Sequence, residues 1–320
     1  GKNDIVHKLF IIDRFLFKNQ STIGNIWRNI IKFIVLPLQI GLLKKFHRKN
    51  PDSIYHAHSM YYIWLAAAAN VPFIGTPQGS DILLKPFRSK IFHFFSKKSM
   101  KKAKYITVDS FVMQEKAYEI SGVTPKIIQN GIDLKSIELF LTSKILNLNR
   151  ETILSIRGLT PLYRIEEVVL SRNKIENEDK YPITFIYPFL EGEYKKKVFE
   201  SISSLDIDLG RVKRDKMYEL LFNAKLVISI PLSDSSPRSV YEAIFCGAPV
   251  AITHHQYYDS LPLCMKERII LIDIENENFI EEALRKAKEI RSIQFIPSSE
   301  ALDLFDQRRS FKRILDLINE

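Results

Sequence analysis

The sequence predicts an α/β protein of two domains, each built on a parallel sheet. Three observations support this fold class. The 320 residues exceed the size at which one hydrophobic core usually stops growing. A hydrophobic content of 46% is typical of a globular chain. Short apolar runs alternate with helical segments along both halves of the chain, which is the pattern of parallel βαβ units.

The predicted strands follow one another along the chain. In the first domain, expected over residues 1–135, they are 7–13, 53–58, 73–76, 105–108 and 126–129. In the second domain, expected over residues 151–301, they are 152–157, 183–187, 205–209, 226–230, 249–253 and 269–273. Residues 136–150 are predicted to link the domains, and residues 302–320 to form a last helix that returns to the first domain.

A helix with a marked start is predicted after the strand at 226–230. Ser236 is expected as its N-cap and Pro237 as its first residue, where the missing N–H of proline costs nothing. Gly247 is expected to end it. The free N-terminal amides and the positive end of the helix dipole favour a bound diphosphate.

Two acidic residues flank the start of this helix. Asp234 lies just before it, and Glu242 lies about two turns along it. An ionised carboxylate only accepts hydrogen bonds, so it pairs naturally with the hydroxyls of a sugar or a ribose. The spacing therefore predicts a site for a nucleotide sugar.

This motif resembles that of the retaining, nucleotide-sugar-dependent glycosyltransferases of the GT-B fold, specifically the large fourth family. Their motif is an acidic residue, seven residues, a glutamate and Ala-x-x-x-Gly-x-Pro-Val, and Asp234 and Glu242 begin the match here. The resemblance implies two Rossmann-like domains that face a central cleft. It also implies that Asp234 contacts the donor hexose and Glu242 the ribose. The implied donor-binding residues between them are Ser235, Ser236, Pro237, Arg238, Ser239 and Val240.

Other segments resemble the same family, from about residue 50 to the C-terminus. Residues 51–58 are similar to a Pro-Asp-x-x-His-x-His strand end, and residues 78–81 to a His-Gly-Ser-Asp turn with glutamine in place of the histidine. The resemblance implies acceptor-side roles for His58, Gln78, Gly79 and Asp81. For His58, a structural role is the equally weighted alternative. The family's glycine-rich first loop has no counterpart in the sequence, so we expect the first domain to lack it.

The segment 153–164 departs from the family pattern Gly-Arg-Leu-x-x-x-Lys-Gly. The arginine and lysine that neutralise the diphosphate fall on Gly158 and Tyr163, while Arg157 and Arg164 lie one residue to the side. We expect these two arginines to take over that role, because guanidinium binds phosphate in a bidentate fork. Together with the two acidic residues of the donor motif, they complete the predicted catalytic set.

The resemblance implies a reaction in which the leaving diphosphate takes the acceptor's proton on the same face of the sugar, so no metal ion or cofactor is expected. The pair Asp206 and Asp208 matches a metal motif of a different glycosyltransferase fold, but a match of two residues inside a strand pattern is weak. His254 and His255 are adjacent on a strand end and point apart, which argues against a shared metal.

The charge is uneven along the chain. Residues 1–150 hold 23 Lys and Arg against 9 Asp and Glu, and the remainder has a net charge of −4. Residues 85–104 contain eight basic residues and no acid, with Phe87, Ile91, Phe94 and Phe95 spaced to share a helical face. This pattern predicts a helix that lies on an anionic membrane surface, and the alternative is a packed helix whose lysines face water.

The sequence thus predicts a retaining, metal-independent hexosyltransferase that acts on a lipid-linked or cell-surface glycan precursor in polysaccharide or lipopolysaccharide biosynthesis. The two unpaired cysteines favour a cytoplasmic location, peripheral on the inner face of the membrane. Two alternatives remain, a nucleotide-sugar epimerase of similar fold and a non-catalytic basic module that binds lipid or nucleic acid. The donor motif argues against nucleic acid.

Overall fold

The computed structural model describes residues 22–143, 152–175 and 182–320. Its chain divides into two compact units. The first runs to Ile128 and also includes Ile314–Glu320, and the second is Gln129–Arg313. The strand predicted at residues 7–13 lies outside the described residues.

The first unit contains a parallel sheet whose strands follow the chain in the order β1-β2-β3-β4. Its elements are α1 (Thr22–Lys49), β1 (Tyr55–His58), α2 (Met60–Ala69), β2 (Phe73–Thr76), α3 (Gly79–Leu83), α4 (Lys85–Arg88), α5 (Lys90–Met100), β3 (Tyr105–Val108), α6 (Phe111–Ser121) and β4 (Lys126–Ile127). The uncharged stretch of the sequence at 59–80 is divided into α2, β2 and the start of α3.

The second unit is built on a larger parallel sheet. Its elements are α7 (Leu134–Ser143), β5 (Thr152–Ser155), α8 (Ile165–Asn173), β6 (Ile183–Ile186), α9 (Gly192–Phe199), β7 (Ile207–Gly210), α10 (Arg214–Asn223), β8 (Ala224–Ser229), α11 (Arg238–Phe245), β9 (Val250–Ile252), α12 (Gln256–Asp259), α13 (Leu263–Lys266), β10 (Ile269–Leu271), α14 (Phe279–Ser292) and α15 (Ser299–Phe305). The last helix, α16 (Gln307–Asn319), begins in this unit and ends in the first.

The strand order of the second sheet is β10-β9-β8-β5-β6-β7. From β5 the chain moves outward through β6 and β7, and it then returns to place β8 against the other edge of β5. In open parallel sheets, ligands bind beyond the carboxyl ends of the strands at such a reversal. The strand order therefore predicts a ligand-binding site at the loops after β5 and β8.

Apolar side chains cover both faces of this sheet. Along β8, Leu226 and Ile228 pack into a core on one face, while Val227 packs into a core on the other. A strand buried on both faces is a nearly continuous apolar run instead of an alternating one, and residues 226–228 of β8 form such a run. The predicted α/β class with parallel sheets is confirmed.

Two segments differ from the predicted organisation. Residues 136–143, expected in the linker, lie in α7, because Ile137 and Phe140 are buried in the core of the second unit. Residues 144–150 lie outside the described part of the chain. The predicted last helix is two helices, because the backbone of Asp306 leaves the helical path to pair with Ile132.

None of the helices within the described ranges has the length and apolar character needed to cross a bilayer. The long helix α1 carries Lys32 and Pro37 within its apolar stretch.

Candidate functional site

The loops after β5 and β8 bring Arg157 and Asp234 together. Nη2 of Arg157 lies 2.6 Å from Oδ2 of Asp234, and both side chains are largely buried. Nη1 of Arg157 donates to Oγ of Ser239 at 3.1 Å. The residue expected to contact phosphate and the residue expected to contact sugar are therefore paired at the reversal of the strand order.

Two aromatic rings fix the loop that carries Arg157. The ring of Tyr163 lies 4.6 Å from the Arg157 guanidinium carbon, a cation–π contact. At Gly158, a Cβ atom would collide with the ring of Phe189, so only glycine fits. The described residues use two of the five N–H donors of Arg157, which leaves donors for an anion.

Arg164 has a different role from the one predicted. Its backbone is left-handed, with φ 51°, and its guanidinium donates to the carbonyl oxygens of Ile230 at 2.7 Å and Pro231 at 3.1 Å. These bonds hold the start of the loop that leads to Asp234. In this geometry Arg164 is a positioning residue, because its side chain is directed at the protein backbone.

Helix α11 begins one residue later than predicted. Pro237 occupies the N-cap position, with φ −79° and ψ 95°. Ser236 does not cap the helix, because its hydroxyl donates to Oε1 of Gln129 at 2.9 Å and accepts from the hydroxyl of Tyr241 at 3.3 Å. The amide of Ser235 donates to Oδ1 of Asp234 at 3.0 Å, which orders the carboxylate.

The first turn of α11 leaves amides for a ligand. The amide of Val240 donates to the carbonyl oxygen of Pro237, and the side chain of Val240 is fully buried. Val240 therefore has no group available to a nucleotide sugar. Within the described residues, the amides of Arg238 and Ser239 have no acceptor, as is usual for the start of a helix. The Arg238 side chain is exposed and donates to Oε1 of Gln307 at 3.3 Å.

Glu242 lies on α11 and is only 8% exposed. Burial raises the pKa of its carboxyl group, and the nearby charges of Arg238 and Arg214 act against that rise. No described residue forms a hydrogen bond or an ion pair with this carboxylate. Buried carboxylates in folded proteins nearly always have partners, so the position is suited to accepting hydrogen bonds from a ligand.

The acceptor-side turn in the first unit is held by Asp81. Its Oδ2 accepts from the amide of Met60 at 2.9 Å, and its Oδ1 pairs with Nζ of Lys85 at 2.7 Å. Gln78 and Asp81 cap α3, of which Gly79 is the first residue. Asp81 therefore connects the starts of α2 and α3 and is committed to structure.

His56 and His58 lie on one face of β1. Their ring centroids are 6.0 Å apart, and Nε2 of His56 lies 2.8 Å from Oγ1 of Thr76. Burial lowers the pKa of both imidazoles, although Asp81 acts against this for His58. Burial therefore favours the neutral form of both rings. His58 lines a cavity of about 290 Å³, whereas Gln78 and Asp81 line another of about 480 Å³.

The two aspartates of the discounted metal motif have protein partners. Asp206 forms a bidentate ion pair with Arg172, with N–O distances of 2.6 and 2.5 Å, and both side chains are almost completely buried. Asp208 pairs with Lys195 and accepts from the hydroxyl of Tyr187. The two histidines also have separate hydrogen-bond partners: His254 bonds to Asp259, and His255 bonds to the carbonyl oxygen of Pro231. The described residues include no cluster of three or more side chains suited to a metal ion.

The apolar residues of the basic segment are exposed. Phe87, Ile91, Phe94 and Phe95 are between 49% and 72% exposed. Helix α1 adds four more exposed apolar side chains, which are Ile30, Phe33, Ile34 and Leu38. The sequence alone did not single out this face of α1, although its apolar residues recur at helical spacing. We call these eight residues the α1–α5 apolar surface.

Comparison with known proteins agrees with the resemblance seen in the sequence. Residues 22–136 match the family described as Glycosyltransferase Family 4. Among curated proteins, no significant match was found.

Several solved structures share the fold. An α,α-trehalose 6-phosphate synthase from Burkholderia multivorans is 11% identical, with a TM-score of 0.68 over 94% of this chain and 77% of that one. AviGT4, a glycosyltransferase involved in avilamycin A biosynthesis, is 13% identical, with a TM-score of 0.60 over 88% of this chain and 77% of that one. TarM from S. aureus, solved with UDP and α-GlcNAc-glycerol, is 13% identical. Its TM-score is 0.63 over 88% of this chain and 59% of that one. The fold is GT-B, and the family-four resemblance is confirmed.

Proposed function

We propose that this protein is a retaining glycosyltransferase that moves a hexose from a nucleotide diphosphate sugar to a lipid-linked or cell-surface glycan precursor. One observation carries the proposal. The nearly buried carboxylate of Glu242 has no described protein partner, and it lies on the helix that starts just after Asp234. An unpaired acceptor beside free amides suits the ribose and the diphosphate of a nucleotide sugar.

Each group at the site has a part in the proposed reaction. Asp234 accepts hydrogen bonds from hydroxyls of the sugar, and Glu242 from hydroxyls of the ribose. Arg157 and the amides of Arg238 and Ser239 bind the diphosphate and stabilise the charge that develops as the glycosidic bond breaks. The leaving diphosphate oxygen accepts the proton of the attacking hydroxyl on the same face of the sugar. The proposal uses no metal ion.

The acceptor side of the proposal places the protein on the cytoplasmic face of a membrane. Four residues of the α1–α5 apolar surface, Phe87, Ile91, Phe94 and Phe95, lie in the basic segment 85–104. Exposed aromatic residues beside lysines are typical of surfaces that bind anionic lipid. A lipid-linked acceptor would then meet the protein at the same surface that holds it on the bilayer.

Mass spectrometry of reactions with a panel of nucleotide sugars tests the proposal. Incubation with membrane extract as the source of acceptor should give free nucleoside diphosphate and a product heavier by one sugar. Without acceptor, the donor should remain intact apart from slow hydrolysis. Conversion of one nucleotide sugar into its epimer would instead favour the alternative enzyme class.

A further inference from the structure

A largely apolar groove opens between α1, α2 and α5 in the first unit. Its volume is about 420 Å³, within the usual size of a small-molecule site. Six large apolar side chains form its walls, which are Phe33, Leu36, Trp64, Ile91, Phe92 and Phe95. The small side chains of Ala67 and Ala68 form its floor, so the groove exists because α2 ends in an alanine run.

The groove adjoins a more polar cavity of about 480 Å³. Phe33, Leu36, Trp64 and Phe92 line both spaces, so they form the boundary between them. The polar cavity is lined by residues of the acceptor-side turn, which are Gln78, Ser80 and Asp81. An apolar space therefore lies next to the turn that the sequence resemblance placed on the acceptor side.

Positive charge surrounds both spaces. Lys98 and Lys102 line the apolar groove, and Lys32 and Lys85 line the polar cavity. The acidic residue in the two linings is Asp81, and Lys85 already neutralises it. The net charge around the two spaces is positive, which favours an anionic ligand.

We infer that these two spaces form one binding site for a phosphorylated lipid, with a hydrocarbon chain in the groove and the phosphate among the basic residues that line the two spaces. The inference rests on the proposed glycosyltransferase function and specifies its acceptor as a lipid phosphate. Flat membrane contact needs an exposed apolar face but no cavity, whereas a single inserted chain needs an enclosed space of this kind.

Fluorescence of Trp64 offers a direct test. The chain has two tryptophans, so Trp27→Phe leaves Trp64 in the groove wall as the one reporter. We expect dodecyl phosphate brominated near the end of its chain to quench Trp64 in a saturable way, without vesicles and below its micelle concentration. Brominated dodecanol should bind at least tenfold more weakly, because it lacks the phosphate. Inorganic phosphate should not compete at equal concentration.

A variant that fills the groove distinguishes insertion from surface adsorption. In the Trp27→Phe background, Ala68→Phe should weaken dodecyl phosphate binding about tenfold, equivalent to about 1.4 kcal/mol. Ser204→Phe, which adds the same ring to an exposed position in the second unit, should not change it. Circular dichroism and the melting temperature check that Ala68→Phe is folded.

Several results would overturn the inference. Equal quenching in Ala68→Phe and Ser204→Phe would assign the effect to surface adsorption. Equal affinity for brominated dodecanol would remove the phosphate from the site. A dimer that dodecyl phosphate dissociates would show that a second copy of the chain occupies the groove. Nucleotide-sugar binding, measured on the same samples, separates these results from a failure of the proposed function, because the donor site lies in the second unit.

Discussion

Glu242 shows how a single residue can indicate a ligand. A carboxylate that is mostly removed from water, with its pKa raised by burial, is unfavourable in the free protein. Such a cost persists in a folded chain when the group has a function that requires it. At residue scale, the proposed donor site is therefore most clearly marked by this carboxylate, which has no described protein partner.

The pH dependence of stability should reveal this cost. The pKa of Glu242 is higher in the folded chain than in the unfolded chain, where it is the ordinary 4.5. The stability that Glu242 contributes at low pH is therefore lost as the pH rises from 4.5 through the raised pKa. Replacing Glu242 with Gln should remove that loss, so the variant gains stability relative to wild type across this interval. Urea unfolding at a series of pH values measures the difference. A constant difference across the series would contradict the raised pKa.

Arg157 should be sensitive to its shape as well as its charge. Arg157→Lys keeps the positive charge but cannot bond Asp234, Ser239 and a phosphate together. We expect kcat/KM for sugar transfer to fall about tenfold or more. Arg285→Lys, on the exposed face of α14, is the matched control and should not change kcat/KM. Equal values for Arg157→Lys and wild type would exclude a direct role.

The contact between Arg157 and Asp234 agrees with their predicted place at one site, whereas the role of Glu242 stays a prediction. The sequence supports that grouping because local spacing and motif order place these residues after particular strands. It did not indicate the direction of Arg164. That direction depends on a left-handed backbone at Arg164 and on the position of the Ile230 carbonyl in another strand. The contact between Ser236 and Gln129 was missed for the same reason, since the two residues are distant in sequence.

At the scale of elements, the ion pair between Arg172 and Asp206 connects α8 to the segment before β7. Both side chains are at most 1% exposed, so removing one leaves a buried charge without its partner. Arg172→Ala should lower the free energy of unfolding by about 3–5 kcal/mol. Lys286→Ala, which breaks an exposed pair with Glu282, should cost less than about 1 kcal/mol. Chemical denaturation of both variants makes the comparison, and similar losses would show that the buried pair is not important for stability.

Helix α5 should determine binding to anionic vesicles. Phe94→Ser removes an apolar side chain that is 59% exposed, and we expect vesicle affinity to fall about tenfold. Phe311→Ser, at a residue on α16 that is 54% exposed, is the matched control. Sedimentation with phosphatidylglycerol vesicles measures the loss of affinity. Binding of the wild-type protein to these vesicles should also weaken at high salt. Equal affinity of the two variants would mean that α5 is not the contact surface.

The strands of both sheets were largely predictable, because buried parallel strands are continuous apolar runs between turn residues. Strand order was not, since it depends on packing between segments far apart in sequence. The reversal between β5 and β8 became visible only in the structure, and it gives the physical reason why Arg157 and Asp234 meet. The α1–α5 apolar surface also required the structure, because exposure cannot be distinguished from core packing by helical spacing alone.

At the scale of the whole molecule, the two units have different chemistry. Residues 1–150 carry most of the positive charge, and they include the α1–α5 apolar surface and the groove. The second unit contains the residues of the proposed donor site, which are the ion pair of Arg157 and Asp234 and the carboxylate of Glu242. This division predicts that donor and lipid can bind independently. Substitutions in the groove should change the KM for a lipid acceptor, and substitutions at Glu242 should change the KM for the donor.

Calorimetric titration of the full chain with nucleotide sugars tests the central claim most directly. We predict that at least one nucleotide sugar binds to wild type and to Glu289→Gln, an exposed control on α14, with equal affinity. Glu242→Gln should bind it at least tenfold more weakly, about 1.4 kcal/mol, because an amide accepts ribose hydroxyls less well than a carboxylate. Equal affinity in all three proteins would contradict the assignment of the donor site to Glu242.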